Sequence, residues 1–218
     1  RNGKQYLLID TAGLRRKSRI SLTMEKYSTV QALKAIGRAD IALILLDAAE
    51  GISEQDVKIA GLALEKGAAC ILVVNKWDLV EKDNSTIGTY VEDIRYNSKF
   101  LEFAPIIFVS ALSGQRVSKI FEIIDRVYAQ YIRRVETGEL NRKIREIIEM
   151  NPPPGRSSRP HIFNYITQVG IKPPAFALFV RNPADIHFSY ERYLVNRIRE
   201  TFGFEEVPIR LFFRKKGA

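Results

Sequence analysis

One cysteine and two histidines are all that 218 residues contain of the side chains that build disulfides and most transition-metal sites. A lone thiol, Cys70, excludes an intrachain disulfide framework and fits a reducing cytoplasm. It lies inside an apolar run, where a free cysteine behaves as a small core hydrophobe. His161 and His187 stand far apart with no metal-ligand spacing, so neither is assigned a role. No apolar run approaches the roughly 20 residues that span a bilayer, and no stretch has the pattern of a secretory signal. Repeats are absent, and low complexity is confined to one proline-rich segment. What remains is an ordinary globular composition, 46% hydrophobic and 27% charged, in a chain long enough for one large domain or two small ones.

Acids are the minority among the charged residues, and the formal net charge is +9. From residue 151 onward, 11 Lys and Arg face 5 Asp and Glu, which is +6 of that excess. Such concentration suits a module that works near phosphates, although a solvated basic face has the same composition. The chain also opens abruptly. Asn2-Gly3 is a strong signal for a two-residue hairpin turn, yet only Arg1 precedes it. Its partner strand is expected on the amino-terminal side of a longer protein.

Apolar runs alternate with helical patterns through the first part of the chain. Tyr6–Ile9, Ile41–Leu46, Cys70–Val74 and Ile106–Val109 read as buried strands, the last opened by Pro105. Between them lie a basic segment, Arg15–Arg19, and a helical stretch from about Thr23 to Arg38, set off from the next strand by Asp40. A second helix is N-capped by Ser53, carries Val57, Ala60, Gly61 and Leu64 on one face, and ends at Gly67. A third runs from about Thr86 to Phe100, and a fourth shows Ile120, Ile124, Val127 and Tyr131 as an apolar stripe. This order predicts a parallel sheet covered on both faces, in a domain spanning residues 1–138. Residues 139–218 have another rhythm. Leu140, Ile144, Ile147 and Ile148 share a helix face, and a stiff basic connector covers Asn151–Pro160. Strands Ile162–Val169 and Phe176–Val180, a helix through Tyr190, Leu194, Ile198 and Phe202, and a strand Ile209–Phe213 complete an αββαβ order.

Three of the strands close on polar chemistry: Asp10-Thr11-Ala12-Gly13, Asn75-Lys76-Trp77-Asp78 and Ser110-Ala111-Leu112. Open α/β sheets bind ligands at the carboxyl ends of their strands. A carboxylate at Asp78 can accept two hydrogen bonds from the ring N–H and exocyclic amine of guanine. Adenine offers neither donor, and a polar group left unpaired discriminates by roughly 10⁴-fold. The aliphatic stem of Lys76 can cover a base while its charge stays hydrated. On this guanine reading Asn75 is expected to brace the neighbouring loops, the Ala111 N–H to reach the base carbonyl oxygen, and Ser110 to buttress that turn. Asx turns at Asn75 and Asp78 and a helix cap at Ser110 are the bland alternatives. Trp77 holds the variable position of its motif and is expected to pack.

The ordered set DTAG, NKWD and SAL resembles the later guanine-nucleotide motifs of Ras-like GTPases. DTAGLRRKSRI, NKWDLVEKD, SALSGQRV, NPPP and VPIRLFFRKK together resemble the second GTPase domain and carboxyl-terminal domain of the EngA/Der family, over essentially the whole chain. The resemblance implies an α/β Ras-like sheet, its amino-terminal part missing, followed by a KH-like α+β domain. It implies GTP or GDP as ligand, a role in assembling the large ribosomal subunit on rRNA, and packing against an upstream G domain. Asp10 resembles the carboxylate that holds Mg²⁺ through water, with Thr11, Ala12 and Gly13 on the phosphate side. Leu14 stands where a water-orienting glutamine would be; a leucine cannot orient water, and some relatives with such a substitution use K⁺.

Two departures qualify the resemblance. No GxxxxGK[ST] loop is present to cradle phosphates, nor the threonine that senses the terminal phosphate. The strand carrying that loop would lie between the Asp10 and Ile41 strands, leaving a gap in the sheet. These 218 residues are therefore expected to be inactive in GTP hydrolysis on their own. Second, none of the 13 glycines forms the Gly-x-x-Gly pair with which KH domains clamp RNA. Phosphate contacts are instead expected from Arg156, Arg159, Arg214, Lys215 and Lys216. The competing expectations are an Era-like GTPase, and a non-catalytic ribosome-binding module on a degenerate G domain.

Overall fold

The computed structural model describes residues 3–10, 35–153 and 163–215. The chain divides into two compact units, Arg1–Ile120 and Phe121–Ala218. Thr11–Leu14, the basic segment 15–19, most of the helix expected from Thr23, the connector 154–160, His161 and Lys216 lie outside the described residues.

In the first unit, strands β1 (Ile41–Asp47), β2 (Ala69–Asn75) and β3 (Ile106–Phe108) form a parallel sheet in the order β1-β2-β3. Helix α1 (Glu54–Lys66) joins β1 to β2. Its start is a capping box, since Ser53 Oγ accepts the Asp56 N–H while Asp56 reaches back to the Ser53 N–H. Gly67 ends it at φ +93, a left-handed conformation that suits glycine. Helix α2 (Thr86–Asn97) is followed by a 3₁₀ turn at Lys99–Leu101, so the helix expected to reach Phe100 is shorter and tightens at its end. Residues 69–74 of β2 are all buried, as expected of a central parallel strand. Trp77, Phe108, Ala60 and Ala63 join β2 in one core.

Two strand expectations are corrected. Tyr6–Ile9 is not a strand: residues 4–10 carry no regular structure, with Leu7 82% and Leu8 72% exposed. A strand is stable only when a neighbour takes its hydrogen bonds, and no described strand pairs with this one. Among the described strands β1 is an edge, and three of its seven residues are buried. Ile44 and Leu46 enter the core while Leu45 is 56% exposed.

In the second unit, α3 (Lys119–Tyr131) and α4 (Thr137–Met150) precede a sheet β4-β5-β6 with α5 (Phe188–Phe202) between its last two strands. β4 (Phe163–Gly170) is antiparallel to β5 (Ala175–Val180), which is parallel to β6 (Arg210–Lys215). The αββαβ order is as expected, and Tyr190, Leu194, Ile198 and Phe202 are all buried. Helix α3, expected to close the first domain, belongs to this compact unit, where Arg126 forks onto the Glu206 carboxylate at 2.6 and 2.7 Å.

Candidate nucleotide site

Because β2 and β3 are adjacent and parallel, the loops that follow them emerge side by side at one end of the sheet. Their union is explicit. Asn75, the last residue of β2, accepts the Ala111 N–H on its side-chain oxygen at 2.9 Å, across 36 positions of sequence. The backbone repeats the connection, as Val109 donates to the Val74 carbonyl at 2.8 Å and Trp77 donates to the Val109 carbonyl at 3.0 Å. Asn75 thus braces the neighbouring loop, as the sequence reading expected. Ser110 is fully buried, and its hydroxyl accepts the Ser113 N–H at 3.1 Å, which holds the turn beyond β3. A helix cap is excluded for it, since α3 begins only at Lys119.

The tryptophan of the NKWD stretch is a packing residue. Its ring is 2% exposed, edge-on to Tyr90 at 5.1 Å and tilted against Phe108 at 4.5 Å. Tyr90 in turn donates its hydroxyl to the Ala48 carbonyl at 2.7 Å, tying α2 to the end of β1. With Trp77 anchored, its neighbours face water: Asp78 is exposed, and so are Ala111 and Leu112. Cys70 is deep in β2, where burial pushes its thiol up to about 12, consistent with a core role.

Two further contacts bear on the site. The Ala111 N–H, expected to meet a base carbonyl, is engaged by Asn75; among the described residues nothing accepts the next one, of Leu112. The Lys76 ammonium, expected to stay hydrated, forms an ion pair with Asp47. The strand expected over Ile41–Leu46 extends one residue further, to Asp47. The available signal was a carboxylate closing a buried strand, as in DTAG and NKWD.

On the phosphate side only Asp10 is described, and it is exposed. One carboxylate does not make a cation site, and the described residues hold no cluster of three or more His, Cys, Asp or Glu side chains that could bind a metal ion. Arg214 and Lys215 are exposed on β6; Arg156, Arg159 and Lys216 lie outside the described residues. No described helix is long and apolar enough to cross a membrane.

Residues 2–130 match the family model of the elongation factor Tu GTP binding domain. Residues 134–214 match that of the KH-domain-like C-terminal region of EngA bacterial GTPase enzymes. The chain is 52% identical over 217 residues to GTPase Der of Caldanaerobacter subterraneus subsp. tengcongensis, covering 100% of this chain and 49% of the relative. It is 55% identical over 213 residues to GTPase Der of Trichlorobacter lovleyi, covering 98% and 47%. The chain therefore spans about half the length of the curated relatives it matches. Among solved structures, an Era variant from Aquifex aeolicus bound to GDP.AlF4- aligns at 19% identity and TM-score 0.42, over 88% of this chain and 70% of that one. A probable GTP-binding protein, EngB, aligns at 15% and 0.43, over 53% and 74%. With a GTP-binding-domain match over more than half of its length and the EngA-type KH-like module behind it, the chain belongs to the EngA/Der family of GTPases.

Proposed function

We propose that this chain supplies the guanine-recognition half of a GTP-controlled switch that acts in the cytoplasm on the large ribosomal subunit. The observation that carries the reading is the Asn75–Ala111 hydrogen bond, which joins the loops after β2 and β3 into one preformed wall. In this reading Asp78 accepts the guanine ring N–H and exocyclic N–H, and Lys76 covers one face of the base. The base carbonyl oxygen takes the free Leu112 N–H and shares the Ala111 N–H with Asn75. Adenine would leave the Asp78 carboxylate unpaired. Asp10 and Thr11–Leu14 are the phosphate side. Asp10 would hold Mg²⁺ only through water, and the other ligands would come from a phosphate loop that these 218 residues do not contain. Mg²⁺ supplies charge neutralisation on phosphate oxygens, and no residue here is assigned to K⁺.

The functional boundary is taken near residue 138, with 139–218 as the KH-like module. Arg214 and Lys215, with Arg156, Arg159 and Lys216, meet rRNA phosphates in a salt-dependent manner. Packing against a further G domain belongs to the same reading.

Calorimetric titration of GDP into the 218-residue chain, with ADP as control, tests the nucleotide part. Guanine-selective heat is expected, and its absence removes the nucleotide role. A second reading, a ribosome-binding module on a degenerate G domain, draws on segment 4–10, which is mostly exposed and carries no regular structure. It would then stand, and salt-dependent binding of rRNA fragments by the chain would be its test.

A further inference from the structure

Asp47 has no part in the nucleotide chemistry above, yet it is a carboxylate only 7% exposed at the end of the sheet where that site lies. It closes β1 and stands in register with Asn75 of β2. Its two oxygens have separate partners. Oδ1 accepts the Ala49 N–H at 3.0 Å, and Oδ2 pairs with the Lys76 ammonium. The Asp47 carbonyl accepts the N–H groups of Glu50 and Gly51 at 3.2 and 2.9 Å, so the carboxylate sits on a closed turn.

The pair is unequal. The Lys76 side chain is 54% exposed and the Asp47 side chain 8%. The acid is fixed by the backbone around it, and the lysine is the member that is guided. Lys76 also adopts left-handed backbone, φ +63 and ψ 32, which a residue with a Cβ takes only when its surroundings impose it. Between two mobile surface groups an ion pair would restrict little. Anchored on a buried carboxylate, it removes rotamer freedom from the longest side chain of the NKWD stretch.

We infer that Asp47 is a positioning residue for nucleobase recognition: it holds the Lys76 ammonium at the end of β1, so that the methylene stem of the lysine is fixed as the surface on which the purine lies. The inference rests on the guanine reading of Asn75–Asp78. Asp47 touches no part of the nucleotide and acts only through Lys76. Its loss therefore weakens binding of the base while leaving the Asp78 selection of guanine over adenine in place.

A double-mutant cycle tests this, with GDP binding measured calorimetrically on the 218-residue chain, Asp47→Asn, Lys76→Met and the pair. Asparagine keeps an oxygen for the Ala49 N–H and removes the charge; methionine keeps the apolar stem and removes the ammonium. GDP affinity is expected to fall about tenfold in Asp47→Asn, the scale of one charge-assisted hydrogen bond. The fall disappears when Lys76 is already methionine. Circular dichroism confirms the fold of each variant. Should Asp47→Asn fail to fold, Asp47→Glu takes its corner of the cycle, with a smaller loss that again vanishes beside Lys76→Met. An unchanged GDP affinity in the Asp47 variant, or a loss that persists beside Lys76→Met, overturns the positioning role alone. Absence of GDP binding by the unsubstituted chain overturns the guanine reading and the positioning role with it.

Discussion

Replacing Asn75 with alanine cuts the side-chain link between the two recognition loops and leaves β2 intact, since the Asn75 carbonyl still accepts the Ala48 N–H at 2.9 Å. A neutral hydrogen bond contributes about 1 kcal/mol net. Ala111 is exposed, so water replaces the lost acceptor and the cost falls toward about 0.5 kcal/mol. For a unit of this size that lowers the melting temperature by roughly 1–3 °C. Amide hydrogen exchange is the sharper assay, because it isolates the bond itself. In the unsubstituted chain the Ala111 amide exchanges slowly for an exposed residue, while the Leu112 amide, with no acceptor among the described residues, exchanges at the rate of open chain. In Asn75→Ala the Ala111 amide is expected to join Leu112 in fast exchange. Unchanged protection of Ala111, or equal exchange of both amides before substitution, would refute the brace.

Three other outcomes are expected. Trp77→Ala empties the contact among Trp77, Tyr90 and Phe108, and should cost about 3–5 kcal/mol against a much smaller loss for Trp77→Phe, measured by denaturant unfolding. Asp83 accepts N–H and O–H groups from Ser85 and Thr86 at the start of α2, and these bonds, that of the Thr86 side chain foremost, hold its carboxyl at about 2 instead of the ordinary 3.8. A depressed carboxyl stabilises the fold above its ordinary value and ceases to do so as pH falls through its folded one. Asp83→Asn should therefore melt below the unsubstituted chain at pH 6, with the gap closing between pH 4 and pH 2. Purified alone, the 218 residues should release no phosphate from GTP above buffer background, and measured turnover would show that the absent phosphate loop is dispensable.

What was legible in the sequence was local or doubly determined. Ser53 and Gly67 marked both ends of α1 because caps answer to backbone groups within a few residues. β2 was legible because a strand buried on both faces is apolar at every position. Asn75 and the SAL turn were assigned together because their motifs recur in order, and the structure joins them. The misses are non-local. Whether Tyr6–Ile9 forms a strand depends on a neighbour, and apolar character cannot supply one. Leu45 reads as core in a run of six apolar residues, yet it points to the face opposite Ile44 and Leu46 and is exposed there. The pairing of Asp47 with Lys76 follows from the register of β1 on β2, which no spacing along the chain announces.

The two sides of the proposed site differ in how much of them the chain builds. The base side hangs from β2 and β3, is cross-linked by Asn75, Val109 and Trp77, and is anchored by a buried tryptophan ring. Such a wall needs little ordering when a base arrives, so most of its interaction survives as affinity. On the phosphate side only Asp10 is described: it is exposed at the end of a segment that pairs with no described strand, and the sequence holds no GxxxxGK[ST] loop to offer backbone N–H groups to phosphate. Binding by this chain should therefore track the base and ignore the phosphates. Guanosine, GMP, GDP and GTP are expected to bind within about threefold of one another, less than 1 kcal/mol apart. Adenosine should fall far below all four in competition calorimetry. A rise of tenfold or more along the phosphate series would mean that residues 10–19 bind phosphate without the missing loop, and the division between the two sides would fail.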